Sequence, residues 1–259
     1  MESIGDLILL SGNDIPFPEA RVVIHQPTLK EIAYIGEESF FIGCGFLDFS
    51  KNLLNSQDKD RLSNIDDFDI FMSIVTNRKK ETKQTIDCAF LVLTLLFPLY
   101  EVEVRNDAIV LKRENMNGAI DKTNFGRFKE ILSMIFNLGL GKSSSEEYNP
   151  SGDMAARIAE KFKKRHEKLL ELSNKKADKN KKISILSRYA SILAVGLQKD
   201  LNSLMNYTVC QLYDEFQRFQ LKVQWDAYLQ ARMAGAKDLD EVDNWMIDLR
   251  DQGKNKNKK

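Results

Sequence analysis

The run Ile86–Phe97, IDCAFLVLTLLF, constrains this chain most. Wound into a helix it is apolar on nearly every side, so other parts of the chain must cover it all round. The longest apolar stretch, Ala89–Tyr100, has twelve residues, with Thr94 and Pro98 among them. That is too short to cross a bilayer and suits the centre of a globular core. The chain can supply the cover: of 259 residues 43% are hydrophobic, and there are only 5 Pro and 13 Gly. Such a composition excludes a disordered or fibrous protein and favours helix.

Elements that could surround this run are legible on both sides. Residues 1–18 read as an irregular lead, because Pro16 and Pro18 bracket Phe17 and disfavour helix. Ala20–His25, ARVVIH, is rich in β-branched residues and reads as a strand ending at Pro27. Thr28 with Glu31 has capping-box spacing and predicts a helix carrying Leu29, Ile32, Ala33 and Ile35 inward and ending near Gly36. Gly43-Cys44-Gly45 reads as a turn, with a reactive thiol or a phosphate loop as the functional alternative. Helices are expected at Phe49–Asn55 and Ile65–Val75, then a solvated loop or helix end at Asn77–Gln84. Alternation in Glu101–Arg105 and Ala108–Lys112 around Asn106-Asp107 predicts a β-hairpin. Asn117-Gly118 predicts a further turn, and Asn124–Leu138 an amphipathic helix.

Lys142–Gly152, KSSSEEYNPSG, is a poor helix and a good linker, and it sets the expected boundary. The expected organisation is a mixed α+β domain over 1–141, the linker 142–152, a helical domain over 153–252 and a disordered Lys/Asn tail over 253–259. The fold class is α+β, predominantly α-helical. In the second domain, Asp153–Asn174 predicts a charged helix, Ile183–Met205 an apolar one, and Thr208 caps a long helix to about Met233 that stops at Gly235. A short last helix is expected to start at Asp238 or Asp240 and run through Trp245 to Leu249.

Charge and chemistry narrow the function by exclusion. Lys plus Arg number 38 and Asp plus Glu 38, so the total argues against a protein built mainly to hold nucleic acid or anionic lipid and leaves self-association easy. The exception is 157–182, with eleven basic residues against four acidic. That segment is the nucleic-acid candidate, the alternative being a solvated helix face. Cys44, Cys88 and Cys210 lie far apart and signal neither zinc nor a disulfide framework. His25 and His166 have no partner at metal-ligand spacing, and no nucleophile elbow or P-loop is present. Asp66/Asp67 and Asp240/Asp243 read as helix-start charges, although the second pair could hold Mg²⁺. No catalytic residue, cofactor site or metal site is therefore expected, and the protein reads as non-enzymatic. The opening residues lack the basic segment of a secretion signal, so a cytoplasmic protein is expected.

Asn206–Leu249 carries the densest pattern, with both tryptophans and three of the seven tyrosines. Phe216, Phe219, Trp225, Tyr228, Arg232 and Trp245 are the residue types that anchor interfaces, and equally those with which a small helical domain builds its core. Two segments carry a family resemblance. Gln26–Phe41, QPTLKEIAYIGEESFF, resembles the opening of tail-morphogenesis proteins in tailed phages and prophages of low-GC bacteria. Leu212–Leu249, with Phe216–Phe219 (FQRF), Trp225-Asp226, Ala234–Ala236 (AGA) and Asn244–Leu249 (NWMIDL), resembles the C-terminal helical part of similar phage proteins. The resemblance implies a tail assembly chaperone that binds the tape-measure protein, or other tail proteins, before the tail tube polymerises. It also implies a family that often exists as a short form and a frameshifted longer one. The alternatives are a structural virion component of tail or neck, and a nucleic-acid-binding regulator that uses 157–182. A homo-oligomer is compatible with each.

Overall fold

A computed structural model describes residues 5–48, 65–77, 82–105, 107–114, 116–136, 184–236, 242 and 244–246. The described residues up to Phe136 and from Leu186 onward belong to one compact unit; 139–185 fall in another, of which Ser184 and Ile185 are described. The fold is α+β and predominantly α-helical.

The lead is ordered rather than irregular. Asp6–Ser11 forms helix α1, and Ile15–Phe17 forms strand β1. The two prolines do exclude helix at Phe17, but extended backbone suits them, and a 3-10 turn at Pro18–Ala20 reverses the chain into β2, Val22–Ile24. β1 and β2 pair antiparallel, with Ile15 opposite Ile24 and Phe17 opposite Val22. Helix α2, Leu29–Ile35, starts at Thr28, whose side chain and that of Glu31 form the expected capping box, and Gly36 closes it. Leu29 and Ile32 are buried, whereas Ala33 is exposed.

Gly43-Cys44-Gly45 is not a turn but lies inside helix α3, Glu37–Leu47. The reason is distant in sequence: α3 lies along helix α5, Lys83–Leu96, which follows α4, Asp67–Asn77. A Cβ at Gly43 would strike the Cys88 carbonyl and come within 2.6 Å of Val92 Cγ2. The glycine is thus there for a close helix crossing. Cys44 is fully buried and its thiol is pushed well above its ordinary range, mainly by that burial, so it is no reactive thiolate.

The apolar run is central, as its sequence requires. On α5, Ile86, Ala89, Val92, Leu93 and Leu96 are buried, and the Leu96 carbonyl accepts from His25 N–H at 2.8 Å. Leu91 is the main exception, part of a side that meets solvent. Three strands then form an antiparallel meander: β3 Glu101–Arg105, β4 Ala108–Arg113 and β5 Met116–Asp121. The predicted hairpin is present in register, with Arg105 opposite Ala108. Asn117-Gly118, however, lies within β5, and the reversal comes three residues earlier, between Arg113 and Met116, which pair. Gly118 is buried where β5 meets Ala20 and Val22, a contact that leaves no room for a Cβ.

Helix α6, Phe125–Phe136, completes this side, and Phe17, Phe97, Phe125 and Phe128 form a linked aromatic group with Phe68 and Phe71 of α4. Fully burying such side chains is worth about 1.5–3 kcal/mol each. Asn124 holds the corner: its amide donates to the Ala119 and Glu19 carbonyls at 3.0 and 3.3 Å.

The predicted helix Ile183–Met205 is two helices, α7 Ile185–Leu197 and α8 Leu201–Met205. The chain breaks at Gln198, which has φ 54°, and restarts at Asp200, whose carboxylate accepts from Ser203 N–H at 3.0 Å. Helix α9, Val209–Met233, follows the predicted Thr208 cap, now with Gln211 in a full capping box, and stops beside Gly235 with φ 93°. Leu186, Ala190, Leu193, Leu204, Val209 and Leu212 share one core with the residues before 137. Leu29 N–H also donates to the Tyr207 carbonyl at 2.8 Å. The expected helices at 49–55 and 153–174, the linker 142–152, the basic segment 157–182 and the tail 253–259 lie outside the described residues. Most of the expected last helix also lies outside, with Trp245 and Met246 in a turn.

Candidate partner-binding surface

The aromatic-rich stretch is dominated by α9, and this helix changes its apolar face half-way. Successive residues turn by about 100° around the axis. Val209, Leu212, Phe216 and Phe219 therefore fall on one side, and that side meets the core. Leu212 is fully buried and Phe216 nearly so. Phe216 stacks on Tyr189 of α7 at 3.9 Å between centroids, and Tyr213 meets Tyr189 edge-on at 5.4 Å. Phe219 is partly buried and packs where α7 crosses, its Cε2 2.7 Å from where a Cβ on Gly196 would stand.

Beyond Phe219 none of the described side chains of α9 is fully buried, and Leu221, Trp225 and Tyr228 are half-buried. Val223 keeps to the same side as Phe216, yet it is 50% exposed. Leu221, Trp225, Tyr228 and Arg232 fall roughly 120–180° away from Phe216 and form a second stripe on the opposite side. Along it the Trp225 and Tyr228 rings lie 5.7 Å apart, tilted by 32°. Arg232 continues the ladder, with its guanidinium 5.7 Å from the Tyr228 ring centre and its Nη1 donating to the Tyr228 hydroxyl at 3.2 Å. Leu229 and Met233 beside it are 40% and 87% exposed. Of the six residues singled out from sequence, Phe216 and Phe219 thus join the body of the protein. Trp225, Tyr228 and Arg232 make the ladder, and Trp245 sits half-buried in a separate turn. The sequence reading missed the change of face. The signal was present, because Val223 continues one helical register while Leu221, Trp225 and Tyr228 begin another.

Charges around the ladder are matched locally. Asp214 accepts from Arg218 at 3.2 Å and Asp226 from Lys222 at 2.8 Å, both at i,i+4 spacing. Lys199, at the α7–α8 break, contacts Glu215 and donates to the Tyr207 hydroxyl at 2.7 Å. Burial works to lower the Lys199 pKa, but the bonds to Glu215 and Tyr207 outweigh it and the net shift is upward.

The other residues considered for chemistry have different partners. Lys122 bridges Asp66 and Asp69, each at 2.7 Å, and Lys129 reaches Asp67 at 2.7 Å, so these acids tie α4 to the chain around α6. His25, which has no partner at metal-ligand spacing in the sequence, lies between Asp14 (2.8 Å from Nδ1) and Glu31 (3.3 Å from Nε2). The carboxylates meet opposite ring nitrogens and do not converge on a common point for a cation. Among the described residues no group of His, Cys, Asp or Glu is placed to hold a metal, and no helix is long and apolar enough to cross a membrane. Asp240 and Asp243 lie outside the described residues.

Residues 176–249 match the YomV second domain, a phage-derived protein family. The match takes in α7, α8 and all of α9, so this region is similar to a phage-derived domain. No curated protein and no solved structure matches the chain.

Proposed function

We propose that this is a non-enzymatic phage morphogenesis protein, a tail assembly chaperone that receives a helical segment of the tape-measure protein on the second half of α9. The observation that carries the reading is the change of face. Up to Phe219 the helix is committed to its own core, and from Leu221 onward its aromatic and apolar side chains lie on the other side, half-buried at Leu221, Trp225 and Tyr228 and exposed at Leu229 and Met233. An amphipathic partner helix is recognised by such a stripe, through apolar anchors at i, i+3 and i+7 spacing. The phage-derived family over 176–249 supports the setting, which would be the cytoplasm of an infected host. A tape measure is a long helical polymer, and many copies of a chain with net charge zero could coat it without mutual repulsion.

Co-expression with the tape-measure protein of the same phage tests this. The tape-measure protein is expected to stay soluble and to co-purify with this chain. Failure to co-purify overturns the chaperone reading. Stoichiometric presence in purified particles, measured by mass spectrometry, would replace it with a structural role in tail or neck.

A further inference from the structure

The segment from α1 to Asp14 is fastened to the rest of the chain almost entirely by polar contacts. The Gln26 side chain, fully buried, donates to the Ile8 and Asn13 carbonyls at 3.0 and 2.6 Å. Gln211, in the first turn of α9, donates to the Leu10 carbonyl at 2.7 Å. Leu9 is the buried apolar anchor, while Leu7, Ile8 and Leu10 are exposed. The last fastening is ionic: Asp14 binds His25, and His25 in turn meets Glu31, which also accepts from Thr28 N–H and hydroxyl at 2.7 and 2.8 Å. Thr28 pairs with Thr208 in an isolated bridge, so the same corner holds the start of α9.

We propose that Asp6–Asp14 is a pH-sensitive strap, closed over the N-terminal end of α9 while His25 bridges Asp14 and Glu31, and loosened when that bridge is lost. Among the described residues, Asp14 from the loop after α1 and Glu31 from α2 are the ionic contacts of the ring. α5 meets the His25 backbone through the neutral Leu96 carbonyl, and α9 brings neutral Thr208 and Gln211 to this corner. Burial works to lower the His25 pKa, but the hydrogen bonds to Asp14 and Glu31 outweigh it and the net shift is upward. A raised histidine pKa gives a contribution fully present below the ordinary value of about 6.5 and lost as pH rises through the folded value. For Glu31 burial works upward, but the Thr28 and His25 contacts outweigh it and the net shift is downward. Its contribution is lost instead as pH falls through that lowered value. The strap is therefore tightest between the two titrations and opens on the alkaline side.

Amide hydrogen exchange on the full-length chain, corrected for intrinsic rates, tests this. Between about pH 6 and about pH 9, protection of the α1 amides is expected to fall about tenfold while that of Phe128 in α6 holds. In His25→Gln the α1 amides should already be loose at the lower pH and show no such fall. In Asp14→Asn, which leaves the ring and Glu31 in place but removes the carboxylate that ties the strap to it, the fall should shrink to less than about twofold. A flat profile in the unmodified chain, an unchanged profile in His25→Gln, or a parallel fall at Phe128 would each overturn the strap.

Discussion

The two halves of α9 share one uninterrupted backbone and differ in what their side chains serve. From Val209 to Phe219 the inward residues are covered by α7 and by the body before residue 137. From Gln220 to Met233 none of the described side chains is buried, and the aromatic residues move to the far side. A helix of fourteen residues is marginal in water by itself. The second half persists because it continues a helix nucleated and capped at Thr208 and held by the core. The first half thus anchors the helix to the core, and the second continues it with side chains that are at most half-buried. Propensity serves both halves; only burial separates them.

That contrast predicts a steep gradient of mutational cost along one helix. The largest effect belongs to Leu212, which is fully buried in the first half. Leu212→Ala should cost about 2–5 kcal/mol, through lost transfer energy and the cavity left behind. Chemical denaturation checks it, and a cost below about 1 kcal/mol would mean that the first half is not anchored as described.

A smaller effect is expected at the crossing where the two halves meet. Gly196→Ala gains about 1 kcal/mol in helix propensity, but its Cβ would strike the end of the Phe219 ring, and overpacking typically costs about 1–3 kcal/mol. Phe219 is only partly buried and its ring can swing, so a net loss of about 1 kcal/mol is expected from thermal unfolding. A net gain would show that Phe219 is not held at the crossing, and the boundary between the halves would move back to Phe216.

The parts of this molecule legible in the sequence are those fixed by short-range physics. The all-round apolar pattern of Ile86–Phe97 demanded a central helix, alternation around Asn106-Asp107 demanded a hairpin, and Thr28 and Thr208 announced their helices through capping chemistry. What escaped depended on neighbours far along the chain. Gly43 and Gly118 look like turn glycines, yet each marks a place where another element comes too close for a Cβ. The break at Gln198 is hidden because leucines continue in helical register through it; only Asp200 with Ser203 gave a sign. His25 looked isolated because Asp14 reaches it through the fold, although Glu31 was already placed beside it by the capping box. The aromatic residues of α9 were visible as a set, but a stripe that switches sides reads as one broad apolar face until the core is seen to end.

The smallest stability effect is expected where the binding effect is greatest, at Trp225. Removing its ring forfeits the contact with Tyr228, worth about 0.2–0.5 kcal/mol for an i,i+3 pair, while alanine returns a similar amount in helix propensity. The ring is half-buried, so Trp225→Ala should cost up to about 1 kcal/mol, still well below Leu212→Ala. If the second half receives a helical partner, the same change removes a central aromatic anchor and should weaken capture by about 2 kcal/mol, roughly thirtyfold. The two measurements separate the alternatives. A loss of stability approaching that of Leu212→Ala would make Trp225 a core residue and erase the distinction between the halves. A small loss of stability with unchanged capture would keep the distinction but move the partner off this stripe, towards Val223, Leu229 and Met233 on the remaining exposed sides of the second half.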